Sequence, residues 1–185
     1  PLTSTRPDRD RRAGPNGSCS TWQAAHVAAI SNGAIPCSPV IEAPDIRRIC
    51  DDVDFWDAWP IQLPNGEVAG MSDGTQLWMA LGAPRFDDPD ERHGHARIHL
   101  LQHAGAGWRH LGPAMPDGFS PGSREWSGSC VLEPETGEVT LFFTATGERG
   151  EEEPSFKQRI FRARATLELA GGKYGCREWC DLAAV

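Results

Sequence analysis

Residues 56–61 read Trp-Asp-Ala-Trp-Pro-Ile and residues 125–130 read Glu-Trp-Ser-Gly-Ser-Cys, and each stretch opens a set of four β-strand candidates. The first set covers residues 55–63, 75–81, 96–103 and 108–111; the second covers 125–132, 139–145, 158–167 and 173–180. All eight runs are rich in β-branched, aromatic or alternating apolar residues, and turn residues separate them. Laid one set over the other, Leu-Trp-Met-Ala-Leu-Gly (77–82) answers Leu-Phe-Phe-Thr-Ala-Thr (141–146), and Ala-Arg-Ile-His-Leu-Leu (96–101) answers Gln-Arg-Ile-Phe-Arg-Ala (158–163). The offset is 70 from Trp56 to Trp126, 62 from Arg97 to Arg159 and 71 from Trp108 to Trp179. A drifting period of this kind describes a four-stranded unit repeated with loops of variable length, and a β-propeller blade is such a unit. A plain meander of similar amphipathic strands is the alternative.

Composition agrees with an all-β reading. Twenty Gly and fifteen Pro in 185 residues break the chain too often for a helical bundle. Hydrophobic residues at 39% and charged residues at 24% are ordinary globular usage. The net charge of −8 argues against nucleic acid as a partner, and the lack of a long apolar run argues against a membrane-spanning helix. Residues 1–17 mix Pro, Gly and both charge signs without periodicity and read as a leader. A capping-box pattern at Ser20 then opens the one good helix, with Trp22, His26 and Ile30 spaced four apart before Asn32-Gly33. The expected organisation is a leader and helix over 1–44 and propeller blades over 45–185. No signal-peptide pattern follows Pro1, so an extracellular or periplasmic location is only an expectation. Propellers close with about four to eight blades, so two blades call for completion, either by a second polypeptide or by more of the same one.

Two tryptophans beside a carboxylate are what a sugar site needs. Aromatic faces pack on the apolar face of the ring, and the carboxylate does acid, base or nucleophilic work. The bland alternative makes Trp56 and Trp126 core residues and Asp57 a turn carboxylate.

The segments Trp-Asp-Ala-Trp-Pro (56–60), His-Ala-Arg-Ile-His (95–99), Arg-Glu-Trp-Ser-Gly-Ser (124–129) and Leu-Phe-Phe-Thr-Ala-Thr-Gly (141–147) resemble, in that order, glycoside hydrolase family 68. These are the levansucrases, inulosucrases and bacterial β-fructofuranosidases. The resemblance runs from about residue 54 to about residue 167 and matches the N-terminal portion of that family's catalytic domain. It implies a five-bladed β-propeller with a central pocket, no cofactor, and sucrose and fructosyl acceptors as substrates. It makes Asp57 the nucleophile of a retaining reaction through a covalent fructosyl intermediate. Trp56 and Trp126 would wall the fructosyl subsite and Ser127 would hydrogen-bond the nucleophile. Arg97 and Arg124, flanking the signature segments, could reach sugar hydroxyls or could form ion pairs on a blade surface. A sugar-binding propeller without turnover is the alternative function.

The sequence departs from the family in one respect. A retaining glycosidase needs a second carboxyl group, about 5 to 5.5 Å from the nucleophile, and neither the family's acid/base Glu nor its Arg-Asp-Pro segment follows Leu167. The run Arg85-Phe-Asp-Asp-Pro-Asp-Glu-Arg92 imitates both motifs by letters, but it stands where the family has a variable loop. Its carboxylates are therefore set aside as acid/base candidates. The expected partner is a second polypeptide carrying the remaining blades and that Glu.

Other signals carry less. His95, His99 and His103 would share a strand face but stand about 13 Å apart for each four residues, too far to ligate one ion, so no metal is assigned. Six cysteines allow three disulfides or serve as small buried hydrophobes. The acidic run 148–153 reads as a solvated loop.

Overall fold

A computed structural model describes residues 40–105 and 107–185, together with Ala24, Ala25 and Ala28, which are helical. The leader, Cys19, Cys37, and the helix positions Trp22, His26 and Ile30 lie outside the described residues. The chain divides after Ile46, and the sheet lies wholly within Arg47–Val185.

Eight strands form where the sequence places them: β1 (Val53–Gln62), β2 (Gln76–Pro84), β3 (Arg97–Ala104), β4 (Gly107–Pro113), β5 (Arg124–Leu132), β6 (Glu138–Thr146), β7 (Gln158–Ala170) and β8 (Lys173–Ala184). Strand β6 shows the local rule at its simplest. Val139, Leu141, Phe143 and Ala145 are buried and the residues between them only partly so, which is the two-residue period of a pleated strand. In β2, Leu77 and the run from Met79 to Ala83 are all buried, so this inner strand is covered on both faces. The β7–β8 hairpin closes through Gly171-Gly172 at φ +57° and +73°, the left-handed pair that a two-residue hairpin turn requires.

The strands lie in the order β4-β3-β2-β1-β5-β6-β7-β8. Every pairing is antiparallel except β1 with β5, which run parallel and pair only at Ile61 with Cys130 and Gln62 with Val131. Two four-stranded meanders therefore stand with their first strands side by side, as neighbouring propeller blades do. The plain-meander alternative would run the strands consecutively through the sheet, and it does not. A shared core joins the blades: Ile61, Leu77, Met79, Leu81 and Ile98 of the first pack with Cys130, Leu141, Phe143 and Ala163 of the second. Each large apolar side chain buried there stabilises the fold by about 1.5–3 kcal/mol.

Polar contacts stitch the same joint. Glu125 donates its backbone N–H to the Ala96 carbonyl (2.9 Å), and its carboxylate accepts from the Ile98 amide (2.9 Å). Further out, the Trp179 indole donates to the Ala114 carbonyl (2.8 Å) and Arg109 donates to the Gly172 carbonyl (2.9 Å).

Among the described cysteines, Cys130 and Cys176 act as core residues. Cys50, Cys130, Cys176 and Cys180 are free thiols, and burial pushes Cys130 up and Cys176 to about 12, so neither buried sulfur ionises readily. Cys176 is buried and Cys180 exposed, although residues four apart on a regular strand share a face. A register shift opposite residues 164–166, with Glu178 at φ +52°, turns Cys180 off that face.

Candidate active site

Both signature segments break their ladders at the residue of interest. In β1, Trp56 pairs with Leu81 and Trp59 with Met79, so Asp57 and Ala58 oppose Ala80 alone. Asp57 takes φ +46° at this bulge, a left-handed conformation that Asp tolerates better than most residues. In β5, Trp126 pairs with Thr144 and Gly128 with Phe143, leaving Ser127 as the extra residue. A bulge re-aims the side chain it carries. The two bulges face each other across the joint, and the Ser127 hydroxyl donates to Asp57 Oδ2 at 3.1 Å.

Gly128 makes the second bulge possible. A Cβ at this position would overlap the Phe142 carbonyl oxygen and lie 2.9 Å from both the Phe142 carbonyl carbon and the Phe143 Cα. The Ser-Gly pair thus has a steric reason: Ser127 is pushed outward because Gly128 lets the neighbouring backbone press close.

Trp56, Asp57, Trp126 and Ser127 line one open cleft of about 370 Å³, together with Leu81, Arg92 and His93. Asp57 and Ser127 are exposed to it and the two indoles are half-buried beside them. The four residues expected from the sequence are brought together. Trp56 packs partly against the core, and both indoles flank a solvent-open carboxylate.

Arg97 and Arg124 are placed elsewhere. Arg97 pairs with Asp117, donates to the Met115 carbonyl (2.9 Å) and lies 3.5 Å from the Glu125 carboxylate. Glu125 is only 2% exposed, and its desolvation pushes its carboxyl above the usual range against the pull of Arg97. Arg124, also 2% exposed, donates to the Ser155 carbonyl, lies 3.9 Å from Glu151 and covers the Phe156 ring at 5.2 Å. Neither side chain lines the cleft: Arg97 sits in a partly exposed ion-pair network, the alternative left open by the sequence, whereas Arg124 is buried against the Ser155 carbonyl and Phe156. Arg124 does reach the site through packing, because Phe156 stands against Trp126 with ring centroids 6.4 Å apart.

The loop read as simply solvated has internal order. Glu151 accepts from the Ser155 amide (3.0 Å) and hydroxyl (2.7 Å), and these bonds draw its carboxyl below the ordinary range.

The histidines find partners near the site. His99 Nδ1 and His110 Nε2 are 2.8 Å apart, and Phe55 meets both rings edge-on. Burial, then the neighbouring charges of His110 and Arg97, lowers His99 to about 4, and burial lowers His110 as well. Gly82 lets His99 in: a Cβ there would lie 2.7 Å from the imidazole. Among the described residues no cluster of three metal-ligating side chains occurs.

Sequence reasoning missed Arg92 and His93. They sit on a 3-10 turn (Pro89–Gly94) whose N-terminal cap is the Asp88 carboxylate, accepting from the Asp90 amide at 2.9 Å. The Arg92 guanidinium lies 4.9 Å above the Trp56 ring, and His93 meets the same ring edge-on at 5.7 Å. Asp88, Asp90 and Glu91 of this turn do not line the cleft. The one available signal was position, since the two basic residues lie a few positions before β3, the strand paired with β2.

Comparison with known proteins agrees with this geometry. The levansucrase of Rahnella aquatilis is 30% identical over 141 residues, covering 66% of this chain and 34% of that protein. A levansucrase of Zymomonas mobilis is 34% identical over 107 residues, covering 56% of this chain and 25% of that protein. The chain spans about a third or less of the length of these curated relatives. Among solved structures, an inulosucrase from Halalkalicoccus jeotgali bound to kestose superposes with a TM-score of 0.67 at 28% identity, over 80% of this chain and 35% of that one. Bacillus subtilis levansucrase superposes with a TM-score of 0.64 at 21% identity, with the same coverage, and shares the fold. The levansucrase/invertase profile matches residues 14–170, and with it the two bulged strands and their shared cleft make this chain a member of the levansucrase/invertase family of glycoside hydrolases, folded as part of that family's β-propeller.

Proposed function

We propose that this chain carries the nucleophile half of a retaining, sucrose-acting fructosyl enzyme. The single observation that carries the reading is the Ser127–Asp57 hydrogen bond inside a cleft walled by Trp56 and Trp126. Ser127 occupies Oδ2, which leaves Asp57 Oδ1 as the attacking atom. In the first step Oδ1 forms a bond to the anomeric carbon of the fructosyl unit, the bond from that carbon to the glucosyl oxygen breaks, and the departing oxygen takes a proton from a general acid. In the second step water or a sugar hydroxyl attacks the same carbon, gives its proton to that group as base, and frees Asp57. The indoles pack on the apolar face of the ring, and Ser127 fixes the carboxylate rotamer so that attack needs no reorganisation.

Asp57 is the only carboxylate among the described residues lining the cleft. The acid/base Glu is assigned to propeller blades outside these 185 residues, on a second polypeptide or on more of the same one. The experiment is to replace Asp57 with Asn in the assembled protein and measure glucose release from sucrose. Release should fall to background, and undiminished release would refute the nucleophile assignment.

A further inference from the structure

We propose that Arg92 is a substrate-binding residue of this cleft, its guanidinium donating to adjacent hydroxyls of the bound sugar; this rests on the sucrose reading above. Arg92 is half-buried, its Nε has no acceptor in the structure, and among the described residues its side chain forms no ion pair or hydrogen bond. A buried donor without a partner costs stability unless something supplies an acceptor. Arg97 and Arg124 do not line the cleft and spend donors on the Met115 and Ser155 carbonyls, although Arg124 Nε also lacks an acceptor; Arg92 is the cleft-lining arginine, and none of its donors is spent among the described residues.

The chemistry of the surroundings selects the acceptor. The guanidinium is a rigid planar fork that donates and cannot accept, so its partner must present two neighbouring oxygens. Asp57 in the same cleft disfavours an anion, which leaves a neutral polyol. His93 lines the cleft beside Arg92; its Nδ1 stands 3.1 Å from the Asp90 carbonyl and donates to it, which leaves Nε2 as the ring nitrogen free to meet a ligand. The 3-10 turn holds the fork in place from below, through the Asp88 cap and the stacking of Arg92 on Trp56 at 4.9 Å. Arg92 thus joins a wall on blade one, between β2 and β3, to the tryptophan beside the nucleophile.

The competing explanation is that Arg92 only packs on Trp56. Arg92→Lys separates the two, because lysine keeps a cation near the ring but lacks the fork; Arg92→Gln removes the charge as well. The test uses the assembled protein with Asp57→Asn as parent, so that no turnover occurs, and titrates sucrose by calorimetry. Both substitutions should weaken sucrose binding threefold or more, with about tenfold expected for one charge-assisted contact. In the catalytically intact protein the same substitutions should raise KM for sucrose more than they lower kcat. A sucrose Kd changed less than threefold by either substitution overturns the proposal, as does a fall confined to kcat, which is the mark of a positioning role through Trp56. If the parent binds no sucrose at all, the sucrose reading falls and the inference falls with it; sucrose binding that ignores Arg92 sinks the inference alone.

Discussion

Ser127 and Asp57 are seventy residues apart in sequence and 3.1 Å apart in space, each raised on a bulge of the innermost strand of its own blade. Removing the hydroxyl with Ser127→Ala leaves Asp57 in a left-handed backbone position with no side chain holding its carboxylate. A hydrogen bond to a charged group contributes about 1.5–3 kcal/mol. If the bond matters most as the carboxylate attacks, kcat for sucrose should fall about 10- to 100-fold with KM changed little. Steady-state glucose release measures both, and a rise in KM alone would show that Ser127 binds sugar and does not orient the Asp57 carboxylate.

Gly128 is the steric condition for that arrangement. Gly128→Ala sets a methyl against the Phe142 backbone, and the β5–β6 ladder must shift to admit it. The expected cost is about 3 kcal/mol or more. Gly94→Ala, where nothing lies within 4 Å, should change stability by no more than about 0.5 kcal/mol. Urea unfolding midpoints of the two variants provide the comparison.

The pair His99–His110 makes stability fall on the acid side. His99 titrates at about 4 when folded against 6.5 unfolded, so between those values the unfolded chain binds the extra proton. Its contribution is therefore fully present above pH 6.5 and lost as the pH falls toward 4, an effect of about 3 kcal/mol. The depressed His110 adds in the same direction. Replacing His99 with Gln should flatten this part of the pH–stability curve, and a slope equal to that of the parent would remove the imidazole pair as its cause.

Glu125 behaves in the opposite sense. Its carboxyl is raised by burial, so holding it ionised above its ordinary range costs stability, and that cost disappears as the pH falls and it protonates. Glu125→Gln keeps an acceptor for the Ile98 amide (2.9 Å) without the charge. At neutral pH it should cost less than about 1 kcal/mol. Glu125→Ala strands the Ile98 amide and takes from Arg97 one of its two carboxylate partners, Asp117 remaining, and should cost about 2 kcal/mol or more. Equal losses in the two variants would show that the charge itself holds the blades.

The strands were legible because period two and turn residues are local signals: Val139 to Ala145 alternates in sequence as it alternates in burial, and Gly171-Gly172 fixes its hairpin before any tertiary contact is considered. The repeat of Trp56 at Trp126 revealed two blades, and the family resemblance singled out Asp57 and Ser127. What stayed hidden depends on distance in space. Nothing in the letters places Arg92 over Trp56, because a 3-10 turn thirty-six residues after the tryptophan has no period that aims it. Arg97 and Arg124 flank the signature segments in sequence, yet buried Glu125 and the Ser155 carbonyl claim them. A one-residue bulge likewise separates Cys176 from Cys180, which simple alternation would put on one face.

The parallel join of β1 and β5 holds at only two residue pairs, Ile61 with Cys130 and Gln62 with Val131. Upstream of it, no β1–β5 ladder fixes the distance between Asp57 and Ser127; apart from the Glu125 bonds to Ala96 and Ile98, that distance is inherited from how two meanders lean on one another. The site is accordingly a gauge of their alignment. A substitution deep in the shared core, such as at Phe143 or Leu81, can leave both meanders intact and still tilt one against the other by a fraction of an ångström. Chemistry would then fade while spectra and melting curves still report a folded protein.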